Sequence, residues 1–302
     1  MAAELAKKYP PMTRGAHRIL LDGGRVRLTL YLGDVCEAWQ ALRFKADAWF
    51  LDGFSPACNP EMWQDQALAM ISAHSKPGAT LATFTSVSRV RRALESAGFT
   101  MNISPGFGRK RDMLAGTLPA EVVSDQDHPA SSVAIIGAGI AGCLLARNLA
   151  ERGLPVTLID SATGPGAGAS GNLQGATYVK LGVEFNDQTE LALTALCFSQ
   201  RFYNRFRDQY WHPTGLLQLA WSEQEQDRQR RFLNRNAYPA DVFYPVDQHQ
   251  AEKLTGVPTQ TGGLWFPGRV CPAYLRDPRL GQSVDSRSPA VSAPGDDRWV
   301  SA

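Results

Sequence analysis

Polar and apolar positions alternate over residues 27–32 (RLTLYL), the two-residue period of a strand. A short apolar run at 48–51 (AWFL) reads as a buried strand of a parallel sheet and stops at Asp52-Gly53. Between 60 and 72, Met62, Trp63, Ala67, Met70 and Ile71 recur at helical spacing. Pro77-Gly78 marks a turn. Residues 80–85 (TLATFT) again read as a strand. Residues 88–97 read as a helix with Val90 and Leu94 inward and Gly98 as its C-terminal cap. Strands and helices in this order predict a doubly wound α/β sheet.

A polar stretch without periodicity, bounded by prolines, covers residues 119–131 and reads as a linker. After it the pattern restarts. Residues 132–136 (SVAII) predict a strand, 137–142 a turn, and 141–152 a helix with Leu144, Leu145 and Leu149 inward, ended by Gly153. Residues 156–159 (VTLI) predict a second strand, ending at Asp160. Residues 191–209 form a long amphipathic pattern, and its aromatics read as core. Residues 277–302 hold three prolines and five serines with little periodicity, which predicts a disordered tail or one foreign to the fold. The expected organisation is therefore a domain at 1–118, a linker at 119–131, a domain at 132–276 and a tail.

Composition changes this picture little. With 302 residues, 44% hydrophobic and 20% charged, the chain resembles an ordinary globular protein of two domains or one large one. No apolar run approaches the ~20 residues that cross a bilayer, so no membrane association is expected. Lys7 and Lys8 lack the apolar block of a secretory signal. The net charge of +2 sets up no strong field over the whole molecule. The cysteines (36, 58, 143, 197 and 271) are odd in number and form no Cys-x-x-Cys pair. Neither a disulfide framework nor a metal site is expected, and a cytoplasmic location fits best.

The strongest chemical signal is Gly137-Ala138-Gly139-Ile140-Ala141-Gly142, set between a strand and a helix. An acid, Asp160, follows 23 residues after Gly137 at the end of the next strand. This is the dinucleotide-binding fingerprint. Gly137 permits the tight turn, Gly139 lets a diphosphate approach the backbone, and Gly142 allows close helix–strand packing. Asp160 can accept hydrogen bonds from a ribose diol. FAD and NAD both fit. The loop at 164–175 (GPGAGASGNLQG), which can bring many amides to a phosphate or flavin, favours FAD; the alternative is a flexible surface loop.

Asp34 and Asp52 each follow an expected strand, so each is expected at the carboxyl edge of a parallel sheet, where ligands bind. Asp52 could orient an amine beside a methyl donor; a plain cap of the next helix or turn is the alternative for both. Between residues 85 and 115, Arg89, Arg91, Arg92, Arg109, Lys110 and Arg111 face only Glu95 and Asp112. That run, with Phe107 inside it, suits a nucleic-acid backbone and a stacked base, or else a solvated face.

The stretches at 47–63 (DAWFLDGFSPACNPEMW), 80–99 (TLATFTSVSRVRRALESAGF) and 106–114 (GFGRKRDML) resemble the methyltransferase half of bacterial bifunctional tRNA-modifying enzymes, the 5-methylaminomethyl-2-thiouridine biosynthesis family. The stretches at 133–160 and 168–176, with RFYNRF at 201–206, resemble its FAD-dependent oxidoreductase half. The resemblance implies a partial class I methyltransferase-like doubly wound sheet followed by a partial Rossmann-type FAD-binding domain. It also implies two steps on a tRNA wobble uridine: oxidative removal of a carboxymethyl group with FAD, then methylation with S-adenosyl-L-methionine. By matching motifs, Gly137, Gly139, Gly142 and Asp160 would hold the ADP part of FAD. Ser170, Gly171 and Gln174 would lie near the flavin or its phosphates. Asp34 would face the adenine of the methyl donor and Asp52 would stand at the transfer centre. Arg109, Lys110 and Arg111 would contact tRNA. No donor-binding Gly-rich loop precedes residue 33, and the resemblance stops near residue 276. The chain is thus expected to be shortened at both ends relative to the family. An amine oxidase not acting on tRNA and an inactive fragment that only binds are the competing expectations.

Overall fold

The computed structural model describes residues 1–106, 108, 111–120, 130–172, 175–207, 209–267 and 300–301. Arg109, Lys110, Gln174, most of the expected linker and most of the expected tail lie outside the described residues. The chain forms two compact units, one of residues 31–127 and one of residues 1–30 with 128–302.

The unit of residues 31–127 carries α2 (Val35–Ala41), β3 (Ala46–Leu51), α3 (Asp65–Ala73), β4 (Ser75–Thr83), α4 (Ser88–Ser96), β5 (Thr100–Pro105) and β6 (Asp112–Thr117). Its sheet has the order β3-β4-β6-β5, with β3 and β4 parallel and β6 antiparallel to both neighbours. Val90 and Leu94, four apart on α4, are fully buried with Trp49, Trp63, Leu68, Ile71, Leu81 and Phe99.

Two local expectations are corrected here. The helix expected over 60–72 is broken. Pro60–Trp63 form a 3-10 turn, Gln64 is extended, and α3 starts at Asp65. The break lets the buried Trp63 ring turn inward while its Nε1 donates to the Phe54 carbonyl at 2.7 Å. Pro77-Gly78 does not turn the chain. It lies inside β4, where the register with β3 slips between the Ala46–Ser75 and Ala48–Thr80 pairs. Gly78 adopts φ +78° and donates to the Leu118 carbonyl at 3.1 Å, so the irregular strand keeps its pairing.

The other unit opens with α1 (Ala2–Lys8) and a two-stranded sheet of β1 (Gly15–Leu21) and β2 (Val26–Leu32), the last two residues of β2 falling beyond the unit boundary. Alternate residues of β1, His17, Ile19 and Leu21, are buried, and β1 packs on α6 (Asp187–Tyr203). Asn186 caps α6, its side chain accepting from Thr189 N at 2.9 Å, so the helix starts before the expected residue 191. It gives way to a 3-10 turn at Asn204–Phe206 rather than running to 209.

The segment after the linker begins with β7 (Val133–Ile136), α5 (Ile140–Ala150) and β8 (Val156–Ile159); β7 and β8 are parallel. β12 (Val300–Ser301) pairs antiparallel with β8. A three-stranded antiparallel sheet, β10 (Tyr244–Val246), β11 (Gly263–Phe266) and β9 (Leu216–Leu219), is joined by α7 (Glu223–Arg235) and α8 (Gln248–Thr255). Its core gathers Val179, Leu193, Phe232, Phe243 and Phe266.

The expected burial of α5 is corrected. Leu145 is 49% exposed, and no residue of α5 is fully buried. Ile136 on β7 is 88% exposed. Two strands cover only one stripe of a helix and leave the rest of the apolar surface to solvent.

Candidate functional site

The strand β7 ends at Ile136, and Gly137 reverses the chain with φ +103°, its N–H donating to the Ile159 carbonyl at 2.7 Å. Gly139 is the N-cap of α5. A Cβ on Gly142 would run into the carbonyl oxygen of Gly137, so helix and turn meet too closely for any side chain there. The three glycines thus stand where the fingerprint requires them.

Asp160, just past β8, closes the turn from the other side. Its Oδ2 accepts from Ala138 N at 2.6 Å and its Oδ1 from Ala162 N at 2.8 Å. The Ala138 amide above all, with those of Ala162 and Ser161, holds this carboxyl below the ordinary aspartate value. The carboxylate is ionised at neutral pH, and each oxygen keeps a second lone pair.

The glycine-rich loop folds back on the same turn. Gly166 N donates to the Ala138 carbonyl at 2.8 Å, and Ser170 Oγ accepts from Ile140 N at 3.0 Å. Ser170 Oγ also lies 3.2 Å from where a Cβ on Gly139 would stand. Gly171 lies so near Gly166 that a Cβ would strike the Gly166 carbonyl oxygen. Gln174 lies outside the described residues.

The residues fit the ADP half of FAD. The first intrahelical bond of α5 runs from Cys143 N to Gly139 O at 3.0 Å, which leaves the amides of residues 140, 141 and 142 without helical partners. Ser170 takes one; those of Ala141 and Gly142 remain for a diphosphate. Among the described residues beyond its chain neighbours, nothing stands within 4 Å of a Cβ placed on Gly137. Asp160 would supply acceptors for ribose hydroxyls.

Ala138 and Ile140, which hold the turn together, carry no mark in the sequence. They act through backbone amides and a carbonyl, and residue type gives no signal for that.

The methyl-donor candidates stand differently. Asp34 follows β2, which pairs with β1 and lies outside the four-stranded sheet, so Asp34 and Asp52 do not end strands of one parallel sheet as expected. Asp34 caps α2, its Oδ1 accepting from Cys36 N at 2.8 Å and Glu37 N at 3.2 Å. Asp52 ends β3, is exposed, and has no side-chain partner among the described residues. These two carboxylates do not by themselves build a cradle for S-adenosyl-L-methionine.

Of the basic run, Arg89 is tied to Asp65 Oδ1 at 2.9 Å and to the Trp63 carbonyl at 2.8 Å. Arg111 is exposed, and its carbonyl accepts from Gly106 N at 3.0 Å where β5 and β6 join. Arg109 and Lys110 lie outside the described residues. Among the described residues, no helix is long and apolar enough to cross a membrane.

Residues 1–119 match the family model of S-adenosyl-L-methionine-dependent methyltransferases, and residues 132–277 that of FAD dependent oxidoreductases. The tRNA 5-methylaminomethyl-2-thiouridine biosynthesis bifunctional protein of Marinobacter nauticus is 59% identical over 93% of this chain and 46% of its own length. Its namesake from Hahella chejuensis is 37% identical over 99% of this chain and 50% of its own length. Among solved structures, MNMC2 from Aquifex Aeolicus is similar over 34% of each chain, with 34% identity and a TM-score of 0.31. The chain spans about half the length of the curated relatives it matches. Both segments are matched by the same relatives, and along nearly its whole length the chain is similar to tRNA 5-methylaminomethyl-2-thiouridine biosynthesis bifunctional proteins.

Proposed function

We propose that this chain carries parts of two activities acting in turn on a tRNA wobble uridine. Residues 132–276 would serve the oxidative removal of the carboxymethyl group from 5-carboxymethylaminomethyl-2-thiouridine. Residues 1–118 would serve methylation of the freed amine. The supporting observation is the turn at Gly137–Gly142, where Asp160, Ser170 and the α5 amides converge.

When bound, FAD supplies an acceptor for the hydride on the carbon next to the substrate amine. The substrate amine becomes an imine, and water cleaves it to the primary amine and a two-carbon aldehyde acid. This chain's residues bind and orient. The amides of Ala141 and Gly142 would face the diphosphate, and Asp160 the ribose. Ser170 and Gly171 would keep the loop closed on the turn; Gln174 is assigned to the flavin or its phosphates on likeness to the family alone. Asp34 and Asp52 are assigned to the methyl donor, and Arg109, Lys110 and Arg111 to tRNA, on likeness to the family alone. We place the work in the cytoplasm, where tRNA is modified.

The test begins with FAD titration of the chain, read by visible absorbance, followed by incubation with tRNA carrying the carboxymethylaminomethyl nucleoside. Nucleoside mass analysis should then show conversion to the aminomethyl form. A chain that acquires no flavin bands retains binding at most. Turnover of free secondary amino acids with none on the tRNA would make it an amine oxidase of another kind.

A further inference from the structure

Cations from three elements converge in the unit of residues 1–30 and 128–302. A shallow crevice, open to solvent, is lined by Lys8 of α1, Arg18 of β1, Arg201 at the end of α6 and Arg205 just after it, with Phe198 and Phe202 as its apolar wall. Arg27 and Arg152 stand near enough to Arg18, and Arg147 near enough to Arg205, to depress those guanidinium pKa values beyond what burial does.

Carboxylates do not balance this group. Lys8 pairs with Glu4 at 2.7 Å. Glu151 pairs with Arg147 at 2.8 Å and reaches Arg205 only at 3.9 Å. Arg18 and Arg201 have no ion-pair partner among the described residues. The C-terminal dipole of α6 accounts for Arg201 and Arg205. It does not account for Arg18, which comes from a strand.

Two of the guanidiniums, those of Arg201 and Arg205, are held in place. Arg201 donates to the Arg18 carbonyl at 3.2 Å. The Arg205 guanidinium carbon lies 4.4 Å from the centroid of the Phe202 ring and its Nε donates to the Phe202 carbonyl at 3.2 Å, which leaves its terminal nitrogens for an anion. Fixed, under-compensated guanidiniums beside one another match anionic oxygens that recur at regular spacing, as phosphates do along a nucleic-acid backbone.

We propose that the crevice between β1 and the end of α6 grips the phosphate backbone of an RNA substrate. This rests on the reading of that substrate as tRNA. It assigns a docking surface to Arg18, Arg201 and Arg205 in addition to the Arg109–Arg111 run. The contact is with backbone and carries no sequence preference.

The experiment measures binding of an unmodified tRNA transcript to the whole chain by fluorescence polarisation over a salt series. The test variant is Arg18→Gln/Arg201→Gln/Arg205→Gln, and the control is Arg230→Gln/Arg231→Gln on α7, where both arginines pair with Asp227. The expected result is affinity at least about tenfold weaker at about 50 mM salt, with the log–log salt slope reduced by about 2 to 3, for the crevice variant only. Arg18→Lys/Arg201→Lys/Arg205→Lys should keep most of the binding. Where thermal melting shows the Gln variant to be unfolded, Arg18→Glu alone, at an exposed position, should give the same direction of loss. Unchanged affinity and slope in a folded crevice variant would overturn the proposal while leaving the tRNA reading intact. A parent chain that binds anionic phospholipid vesicles but no RNA would overturn both.

Discussion

The carboxylate of Asp160 and the amide of Ala138 meet at 2.6 Å, which fastens the end of β8 to the second residue of the glycine turn. Removing that carboxylate should loosen the turn and strip the acceptors offered to a ribose. Asp160→Ala is expected to weaken FAD binding by about tenfold or more, because the lost bonds involve a charged group. Titration followed by flavin fluorescence measures it, and an affinity equal to the parent's would remove Asp160 from the site.

Gly142→Ala should be poorly tolerated. The new methyl meets the Gly137 carbonyl, which belongs to backbone and cannot rotate away. Overpacking of this kind costs about 1–3 kcal/mol, and α5 would have to move off β7. Gly164→Ala is the control, since nothing stands within 4 Å of a Cβ there. Chemical denaturation should show a lowered midpoint for the first variant and little change for the second.

Ser170→Ala leaves Ile140 N without its side-chain acceptor. A lost capping bond of this kind costs about 1 kcal/mol. Hydrogen exchange at the first turn of α5 should accelerate while the core around Phe232 stays protected. Equal exchange in variant and parent would mean that the loop does not close on the helix through this hydroxyl.

His17 makes stability depend on pH. Its ring is wholly buried on β1, with Nε2 donating to the Thr13 carbonyl at 2.7 Å and Nδ1 unpartnered. Burial chiefly, and Arg201 besides, depress its pKa below the ordinary 6.5, against a raising pull from the Thr13 bond and Glu190. The unfolded chain therefore takes up a proton that the folded chain refuses. Stability is level above the ordinary value and falls as pH drops from there toward the depressed one. Melting temperature should decline from about pH 7.5 to about pH 5.5 in the parent, and less steeply in His17→Gln. Equal declines would show that another group titrates.

What the sequence disclosed depended on whether the cause was local. The strand at 156–159 and the inward pair Val90 and Leu94 follow from short-range periodicity, and both stand where it put them. The glycine turn was legible because only glycine satisfies the positive φ of residue 137 and the contact at 142. Leu145 misled because burial depends on what covers a face, and periodicity shows only that a face exists. Asp34 misled because the strand before it joins a separate hairpin, a pairing with no mark in the residues themselves. Ala138 was invisible because its contribution is main-chain.

The seating of β1 on α6 has a practical side. A strand from the extreme amino end lends its inner face to a helix more than 160 positions later. Severing the chain at the proline-bounded stretch would not yield two self-sufficient halves. The leading piece would carry a ribbon stripped of its support, and the trailing piece a helix with a bared flank. Dissection of the chain into two pieces should therefore keep residues 1–30 with the oxidoreductase-like portion.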